Sequence, residues 1–219
     1  MSSPKAFIFD LDGVIVDTAH YHYLAWKELA DSLNISFSEV ENEQLKGVSR
    51  VRSLEKILEL GNVTLEQDEF DRLISSKNED YLSYVDSMTR NEILPDVPRV
   101  LHFLHENGQR LALGSASKNA RTILSKVGLM DEFESIVDGT QVSKAKPDPE
   151  VFLRAASNLQ TPPEKCIVFE DALAGIQAAN NAGMLSIGIG DPTVLKEAAF
   201  VFSDFTRISN EFLNELIQA

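Results

Sequence analysis

The sequence predicts an α/β fold in which a doubly wound parallel sheet carries an inserted helical domain. From about residue 91 onward, short apolar runs alternate with helix-like segments, as in sheets covered by helices on both faces. The apolar runs lack polar alternation, which is expected of strands that are buried on both faces. Residues from about 17 to 89 show only helical patterns, so a helical block interrupts the core after its first strand.

The first strand is predicted near the N-terminus, and the remaining strands follow the helical block. In chain order the predicted strands are KAFIFD, RLALG, FESIVDG, CIVFED, LSIGIG and FVFS. The helices predicted among them are NARTILSKVGL, PDPEVFLRAASNL, LAGIQAANNAG and NEFLNELIQ. Gly128 and Gly183 close the first and third of these helices, and Pro lies near the first turn of the second. Five or six strands separated by helices therefore form the expected core.

The inserted block contains three predicted helices, HYHYLAWKELADSL, SRVRSLEKILEL and LEQDEFDRLISSKNEDYLSYV. Apolar residues recur at three- and four-residue steps in the first of them, namely Leu24, Trp26, Leu29, Ala30 and Leu33. We predict a core domain of residues 1–16 and 90–219 and a helical cap domain of residues 17–89. The expected crossings between the two domains are GVIVDT and RNEILPDV.

Composition limits the partners of this 219-residue chain. Its formal net charge of −14 repels nucleic acid and anionic lipid, so neither is expected, and any phosphate site must be locally basic. No apolar run approaches the roughly 20 residues that span a bilayer, and the N-terminal residues show no secretory pattern. The single Cys166 excludes an intrachain disulfide and reads as a small buried hydrophobe. A cytoplasmic monomer is the expectation.

Polar side chains follow four of the predicted strands, at the edge of a parallel sheet where ligands bind. These residues are Asp10, Asp12, Ser115, Ser117, Lys144, Lys146, Glu170 and Asp171. Any one of them could be an ordinary turn or capping residue. Together, four carboxylates, two hydroxyls and one of the two lysines from four strand ends favour a ligand site.

Carboxylates in such a cluster suit Mg²⁺, which prefers carboxylate, water and substrate phosphate oxygens. Asp10 and Asp171 are the natural protein ligands, with Glu170 nearby, and a cation would offset the cost of burying them. Phosphoryl transfer depends on such electrostatic stabilisation. Asp10 is then the candidate nucleophile, and Asp12, two positions on, the candidate general acid and base. Lys146 is a candidate point charge for the phosphoryl oxygens.

Four segments match a known family in order and spacing over almost the whole chain. FDLDGVIVDT, GSASKN, KAKPDPE and VFEDALAGIQAANNAG resemble the haloacid dehalogenase-like phosphotransferases. TAHYHYLAWKELA and NEQLKGVSR resemble the cap of the β-phosphoglucomutases within that family. The resemblance implies a Rossmann-like core with a helical cap. It also implies that β-D-glucose 1-phosphate and D-glucose 6-phosphate are interconverted through an aspartyl-phosphate and bound β-D-glucose 1,6-bisphosphate.

The resemblance also implies residue roles. Asp10 would accept the phosphoryl group, Asp12 would act as acid and base, and Thr18, His22 and Lys146 would assist them. Mg²⁺ would be held by Asp10, the Asp12 backbone and Asp171, with a contribution from Glu170. The implied substrate-binding residues are Trp26, Lys46, Gly47, Val48, Ser49, Arg50, Ser53, Lys77, Ser115, Ala116, Ser117, Lys118 and Asn119.

A substrate that carries phosphate at either of two positions needs a second anion site away from the metal. Arg50 offers a planar fork that matches phosphate, and Gly47 allows a close backbone approach. Alternatives stay open at several positions, and His20 reads as a surface or cap-packing residue. Arg50 could be a solvated charge at a helix start, Trp26 falls on the apolar stripe and could simply pack, and Lys144 competes with Lys146.

Two other functions stay open at this level. A sugar-phosphate phosphatase would use the same Asp10, Asp12 and metal but pass the phosphoryl group to water, and LKGVSR favours the mutase over it. A non-catalytic sugar-phosphate sensor would need no general acid, so Asp12 argues against that function.

Overall fold

The computed structural model describes residues 4–46 and 48–219. Its strands are β1 (Ala6–Phe9), β2 (Arg110–Gly114), β3 (Ser135–Val137), β4 (Cys166–Glu170), β5 (Leu185–Ile189) and β6 (Phe200–Phe202). Within those two ranges the strands form one parallel sheet in the order β3-β2-β1-β4-β5-β6. The predicted α/β class and all of the predicted strand segments are confirmed.

The cap helices are α1 (Ala19–Ser32), α2 (Glu39–Glu43), α3 (Arg50–Gly61) and α4 (Gln67–Val85). The later helices are α5 (Val97–Glu106), α6 (Ala120–Val127), α7 (Glu150–Asn158), α8 (Leu173–Asn181) and α9 (Asn210–Gln218). The sequence patterns do not predict α2, which is too short for an apolar stripe, or α5, which carries Pro98 in its first turn. No helix in the described ranges is both long and apolar enough to cross a bilayer.

Helices cover both faces of the sheet, which confirms the doubly wound arrangement. Phe7 and Phe9 of β1 join an apolar cluster with α5, α6 and α9, whereas Ile8 joins a cluster with α7 and α8 on the other face. Successive side chains of a strand point to opposite faces, so β1 contributes to both cores. Its four residues are fully buried, as expected of a central strand without polar alternation. Cys166 is likewise buried in β4.

The cap helices enclose an apolar cluster of their own. Its buried members are Trp26, Leu29, Ala30, Ile35, Phe37, Leu45, Leu54, Ile57, Leu58 and Leu73. Three members of the predicted stripe are among them, while Leu24 and Leu33 are half-buried. The cap therefore has apolar packing that does not depend on the sheet.

The two chain segments that connect core and cap pair with each other. Val16 forms an antiparallel bridge with Ile93, and the Asp17 N–H donates to the Glu92 carbonyl oxygen at 2.9 Å. These contacts fall within the predicted crossings. Together with the separate cap cluster they support the division into core and cap, whose boundaries stay a prediction.

The sheet register positions the polar residues that follow the strands. Phe9 of β1 pairs with Phe169 of β4, so Asp10 lies level with Glu170 at the end of the neighbouring strand. Ser115 directly follows β2, the neighbour of β1 on its other side. The candidate site therefore forms at the carboxyl edge of the sheet, where parallel topology places it.

Candidate active site

A cavity of about 380 Å³ is lined by both the carboxyl edge of the sheet and the cap helices. Its volume falls within the range of small-molecule sites. The predicted site residues in its lining are Asp10, Asp12, His22, Trp26, Lys46, Val48, Ser49, Arg50, Ser53, Lys77, Ser115, Ala116, Ser117, Lys118, Asn119, Lys146 and Asp171. Thr18 and Glu170 stand behind this lining, in contact with Asp12 and Lys146 respectively. Gly47 lies outside the described residues.

Lys146 is a buried cation between two carboxylates. Its Nζ lies 2.5 Å from Asp10 Oδ1 and 2.6 Å from Glu170 Oε1. Burial alone would lower the pKa of Lys146, but the charges of Asp10 and Glu170 outweigh it and raise the pKa, so the ammonium group persists. Lys144 is largely exposed and pairs with Asp148 at 3.2 Å. Of the two competing lysines, Lys146 therefore occupies the position beside Asp10.

The first turn of α8 holds Glu170 in place. Glu170 Oε2 accepts a hydrogen bond of 2.7 Å from the Ala172 N–H. A Cβ atom added at Gly175 would lie 1.8 Å from Glu170 Oε1, so only glycine leaves room for this carboxylate. The helix N-terminus also favours negative charge. Glu170 is thereby fixed where it can share Lys146 with Asp10.

Asp171 lies close to the turn that follows β1. A Cβ at Gly13, whose φ is +79°, would lie 2.2 Å from Asp171 Oδ2. Lys46 Nζ approaches the same oxygen at 3.7 Å, the one cation found within 4 Å of Asp171 among the residues described. Burial and then the charges of Glu170 and Asp10 raise the pKa of Asp171 well above its usual value. The negative charge of this cluster is therefore incompletely balanced.

The donors at this edge of the sheet fit Mg²⁺ in kind. Across the described ranges, no three His, Cys, Asp or Glu side chains are arranged to hold a metal ion by themselves. Mg²⁺ does not require such a cage, because it commonly takes one or two carboxylates and completes its shell with water and phosphate oxygens. Asp10, Asp171 and the Asp12 carbonyl are a donor set of this kind, and the raised pKa of Asp171 marks a place for added positive charge.

Asp12 lies between the nucleophile candidate and the cap. Its Oδ1 accepts a hydrogen bond from the Thr18 hydroxyl, and His22 Nε2 is 3.9 Å from the same atom. Burial and then the charge of Asp10 raise the pKa of Asp12 to about 6. A carboxyl group with a pKa close to the working pH can both donate and accept a proton.

His22 and Lys77 form a pair beside Asp12. Lys77 Nζ and His22 Nδ1 are hydrogen-bonded at 3.0 Å. Burial and then the Arg50 charge lower the pKa of Lys77 to about 7, while burial and then Lys77 and Arg50 lower the pKa of His22 well below its usual value. A neutral His22 that accepts at Nδ1 carries its proton on Nε2, the ring nitrogen nearer to Asp12.

Arg50 is the cap cation best suited to an anion. It begins α3, where the Ser49 hydroxyl accepts from the Arg52 N–H at 3.4 Å. Arg52 pairs with Glu55 and Glu59, each at 2.9 Å, whereas no carboxylate of the described residues lies within 4 Å of Arg50. Arg50 is half-buried, and burial lowers its pKa. A half-buried, unpaired guanidinium in a cavity wall favours an anionic ligand over a solvated surface charge.

The position of Trp26 is compatible with both packing in the cap and contact with a ligand. It is 3% exposed and belongs to the apolar cluster of the cap, and it also lines the cavity. Lys77 Nζ lies 4.5 Å from the centre of its ring. Trp26 therefore packs the cap and also forms part of the cavity wall.

The loop after β2 folds around its own hydroxyl groups. The Ser117 N–H donates to Ser115 Oγ at 3.0 Å, and the Asn119 N–H donates to Ser117 Oγ at 3.2 Å. Asn119 Nδ2 also donates to Asn78 Oδ1 of α4 at 2.9 Å. This loop therefore forms one wall of the cavity and touches the cap directly.

Sequence reasoning missed several residues in the cavity wall, including Asn42, Ile74 and Tyr81. Tyr81 follows Lys77 by four positions, and residues at that spacing share one face of a helix. That spacing was the signal that could have identified it. His20 is exposed and lies outside the cavity wall.

The model of the haloacid dehalogenase-like hydrolase family matches residues 4–183. The chain belongs to this family. It is 41% identical to a β-phosphoglucomutase from Bacillus subtilis (strain 168) over 213 residues, which are 96% of this chain and 94% of that protein. It is 33% identical to the fructose-1-phosphate phosphatase YqaB from Escherichia coli (strain K12) over 183 residues, 83% of this chain and 94% of that one.

A solved structure extends the similarity to the whole fold. The crystal structure of a β-phosphoglucomutase from Clostridium difficile superposes with a TM-score of 0.93 at 42% identity, covering 99% of this chain and 98% of that one. At this similarity the fold of the family, including its cap, is shared over 99% of the chain.

Gly175→Ala tests how Glu170 is positioned. In a helix interior this change usually stabilises by roughly 0.5–1 kcal/mol. Here the methyl group collides with the Glu170 carboxylate, so we expect a lower melting temperature by thermal unfolding. In a Glu170→Ala background the collision is gone, and the same change should raise the melting temperature. A rise in both backgrounds would contradict the close approach.

Proposed function

We propose that this protein is a β-phosphoglucomutase that interconverts β-D-glucose 1-phosphate and D-glucose 6-phosphate. One observation carries the proposal: a cavity has Asp10 and Lys146 in its core wall and the unpaired Arg50 in its cap wall. A hexose bisphosphate carries an anion at each end and uses both walls at once. The similarity to the Bacillus subtilis mutase over 96% of the chain supports the same reaction.

In the proposed cycle the phosphoryl group passes through Asp10. Phosphorylated Asp10 transfers the group to the C6 hydroxyl of β-D-glucose 1-phosphate, and Asp12 takes the hydroxyl proton. The resulting 1,6-bisphosphate turns around in the cavity. Asp10 then takes the C1 phosphoryl group, and Asp12 returns the proton to the sugar oxygen as the bond to phosphorus breaks. Glucose 6-phosphate then leaves, and the phosphoryl group that Asp10 has just accepted serves the next cycle.

Several neighbours prepare these two carboxyl groups. Lys146 holds Asp10 through Oδ1, which leaves Oδ2 for attack on phosphorus. Thr18 orients Asp12 through its Oδ1, and His22 Nε2 lies 3.9 Å from the same atom. These contacts fix the direction of each carboxyl group before substrate arrives, which is the main source of rate acceleration in such reactions.

Magnesium belongs to the proposal as the cofactor. Asp10, the Asp12 carbonyl and Asp171 would hold it, with Glu170 close by through Lys146. When bound, the ion supplies positive charge that screens the attacking carboxylate from the phosphate and neutralises charge on its oxygens.

The cap residues are proposed as substrate contacts. Arg50 would grip the phosphate that is not being transferred, and Lys77 and Trp26 would face the sugar. The other proposed substrate contacts are Lys46, Gly47, Val48, Ser49, Ser53, Ser115, Ala116, Ser117, Lys118 and Asn119. We propose further that the enzyme works on small sugar phosphates as a cytoplasmic monomer, without nucleic-acid or membrane partners.

A sugar-phosphate phosphatase is the second candidate, because the phosphatase from Escherichia coli is 33% identical to this chain. Both reactions form the same phosphoenzyme and differ in the acceptor. A small phosphate ester needs only the core wall, so the unpaired Arg50 in the cap wall favours the mutase.

Product analysis decides between these functions. With Mg²⁺, β-D-glucose 1-phosphate and a catalytic amount of glucose 1,6-bisphosphate, we expect glucose 6-phosphate in large excess over free phosphate. The α-anomer should give no product, and EDTA should stop turnover. Free phosphate as the main product would establish a phosphatase. Binding of the sugar phosphate without turnover would establish a sensor.

Arg50→Ala tests the second anion site. Loss of the guanidinium should lower mutase kcat/KM by about 100-fold, as expected for an ion pair with a buried phosphate. Hydrolysis of p-nitrophenyl phosphate, which has no second phosphate, should change less than about threefold. Arg52→Ala is the matched control, because Arg52 lies in the same helix and is paired at the surface; both activities should persist. Equal losses on both substrates in Arg50→Ala would contradict a second anion site.

A further inference from the structure

Tyr81 has an unpaired hydroxyl group in the middle of the site. The side chain is 1% exposed, and its ring lines the cavity. Among the described residues, Tyr81 Oη is the one fully buried side-chain oxygen or nitrogen without a hydrogen-bond partner. Leaving a buried hydroxyl unpaired costs free energy, and native structures rarely do so without a functional reason.

Tyr81 lies among the residues that surround Asp12, the candidate general acid and base. Its ring stacks on His22 with centroids 4.2 Å apart and planes 24° apart, and Lys77 Nζ lies 4.7 Å from the ring centre. Burial and then the charge of Asp12 raise the pKa of the Tyr81 phenol well above its usual value, while the nearby Thr18 hydroxyl opposes that rise. The phenol therefore keeps its proton and can only donate it or accept through oxygen.

Thr18 is the partner that the geometry offers. Its hydroxyl donates its single proton to Asp12 Oδ1, which leaves lone pairs on Thr18 Oγ1 free to accept. Because Tyr81 Oη is fully buried in this structure, a protein group can reach it more directly than a sugar can. Thr18 precedes α1 and Tyr81 lies in α4, two cap helices that pack together.

We propose that Tyr81 is a positioning residue for Asp12. When substrate fills the cavity, the Tyr81 hydroxyl donates to Thr18 Oγ1, and Thr18 in turn holds the Asp12 carboxyl group toward the reacting sugar oxygen. No covalent bond of Tyr81 or Thr18 forms or breaks. The two hydroxyl groups act only by orienting Asp12. Because an unpaired buried hydroxyl costs free energy, its pairing with Thr18 stabilises the arrangement that carries out transfer. The inference rests on the proposed function in one respect, namely that a sugar hydroxyl accepts the phosphoryl group.

Tyr81→Phe removes the hydroxyl and keeps the ring. We expect the melting temperature to stay the same or rise, because an unpaired buried group is lost. Mutase kcat should fall about 10-fold, the effect of one hydrogen bond that supports a charged group, with KM nearly unchanged. Tyr84→Phe is the control in the same helix, since its hydroxyl bonds Glu28 at the surface at 2.8 Å, and it should keep wild-type kcat.

A double-mutant cycle then tests the route through Thr18. If Tyr81 acts through Thr18, Tyr81→Phe should have no further effect on kcat in a Thr18→Val background. Independent, multiplying losses would overturn the route through Thr18. Wild-type kcat in Tyr81→Phe would overturn the inference entirely, as would a lower melting temperature with kcat intact, which marks a purely structural hydroxyl.

The wild-type enzyme separates this inference from the proposed function. Formation of free phosphate without glucose 6-phosphate by the wild type would reject the mutase alone. Asp12 would then take a proton from the water molecule that accepts the phosphoryl group. The same variants would be compared by the rate of phosphate release. The 10-fold loss in Tyr81→Phe, and its absence in the Thr18→Val background, would still support the positioning role; equal rates would overturn it.

Discussion

The Lys146 ammonium group between Asp10 and Glu170 is the interaction on which the rest of the site depends. Asp10 and Glu170 end neighbouring strands, so the parallel register alone would force two carboxylates together. One ammonium at 2.5 and 2.6 Å makes that arrangement tolerable and leaves a net negative charge shared with Asp171. Removing one partner from such a buried set typically costs several kcal/mol, about 3–5, so the charges must be treated as a unit.

The cavity wall collects groups whose pairing within the protein is incomplete. Among the described residues, Arg50 has no carboxylate partner and Tyr81 Oη has no hydrogen-bond partner, while burial with nearby positive charge lowers the pKa of Lys77 to about 7. Each feature weakens the fold slightly on its own. A sugar bisphosphate that bridges the two walls would pair with Arg50, and the same closed arrangement would bring Tyr81 to Thr18, so cap packing and substrate binding favour the same arrangement.

The sequence predicts much of this site because the strands and the polar residues that follow them can be recognised in short stretches of sequence. Apolar runs without alternation reveal the strands, and parallel topology then brings Asp10 and Asp171 to one edge. What stays hidden depends on contacts between distant segments. The sequence suggests that Glu170 faces the cavity. In the structure its carboxylate is held at the N-terminus of α8 and lies behind Lys146. Tyr81 reads as an ordinary helix residue until α1 brings Thr18 and His22 beside it.

The central claim is that Asp10 carries the phosphoryl group. The most direct test is to incubate the enzyme with glucose 1,6-bisphosphate, quench it rapidly, reduce acyl phosphates with borohydride and map the reduced residue by peptide mass spectrometry. We expect reduction of the Asp10 side chain in the FIFDLDGV peptide. Reduction at Asp12, Asp171 or any other carboxylate, or no reduction while turnover continues, would contradict it.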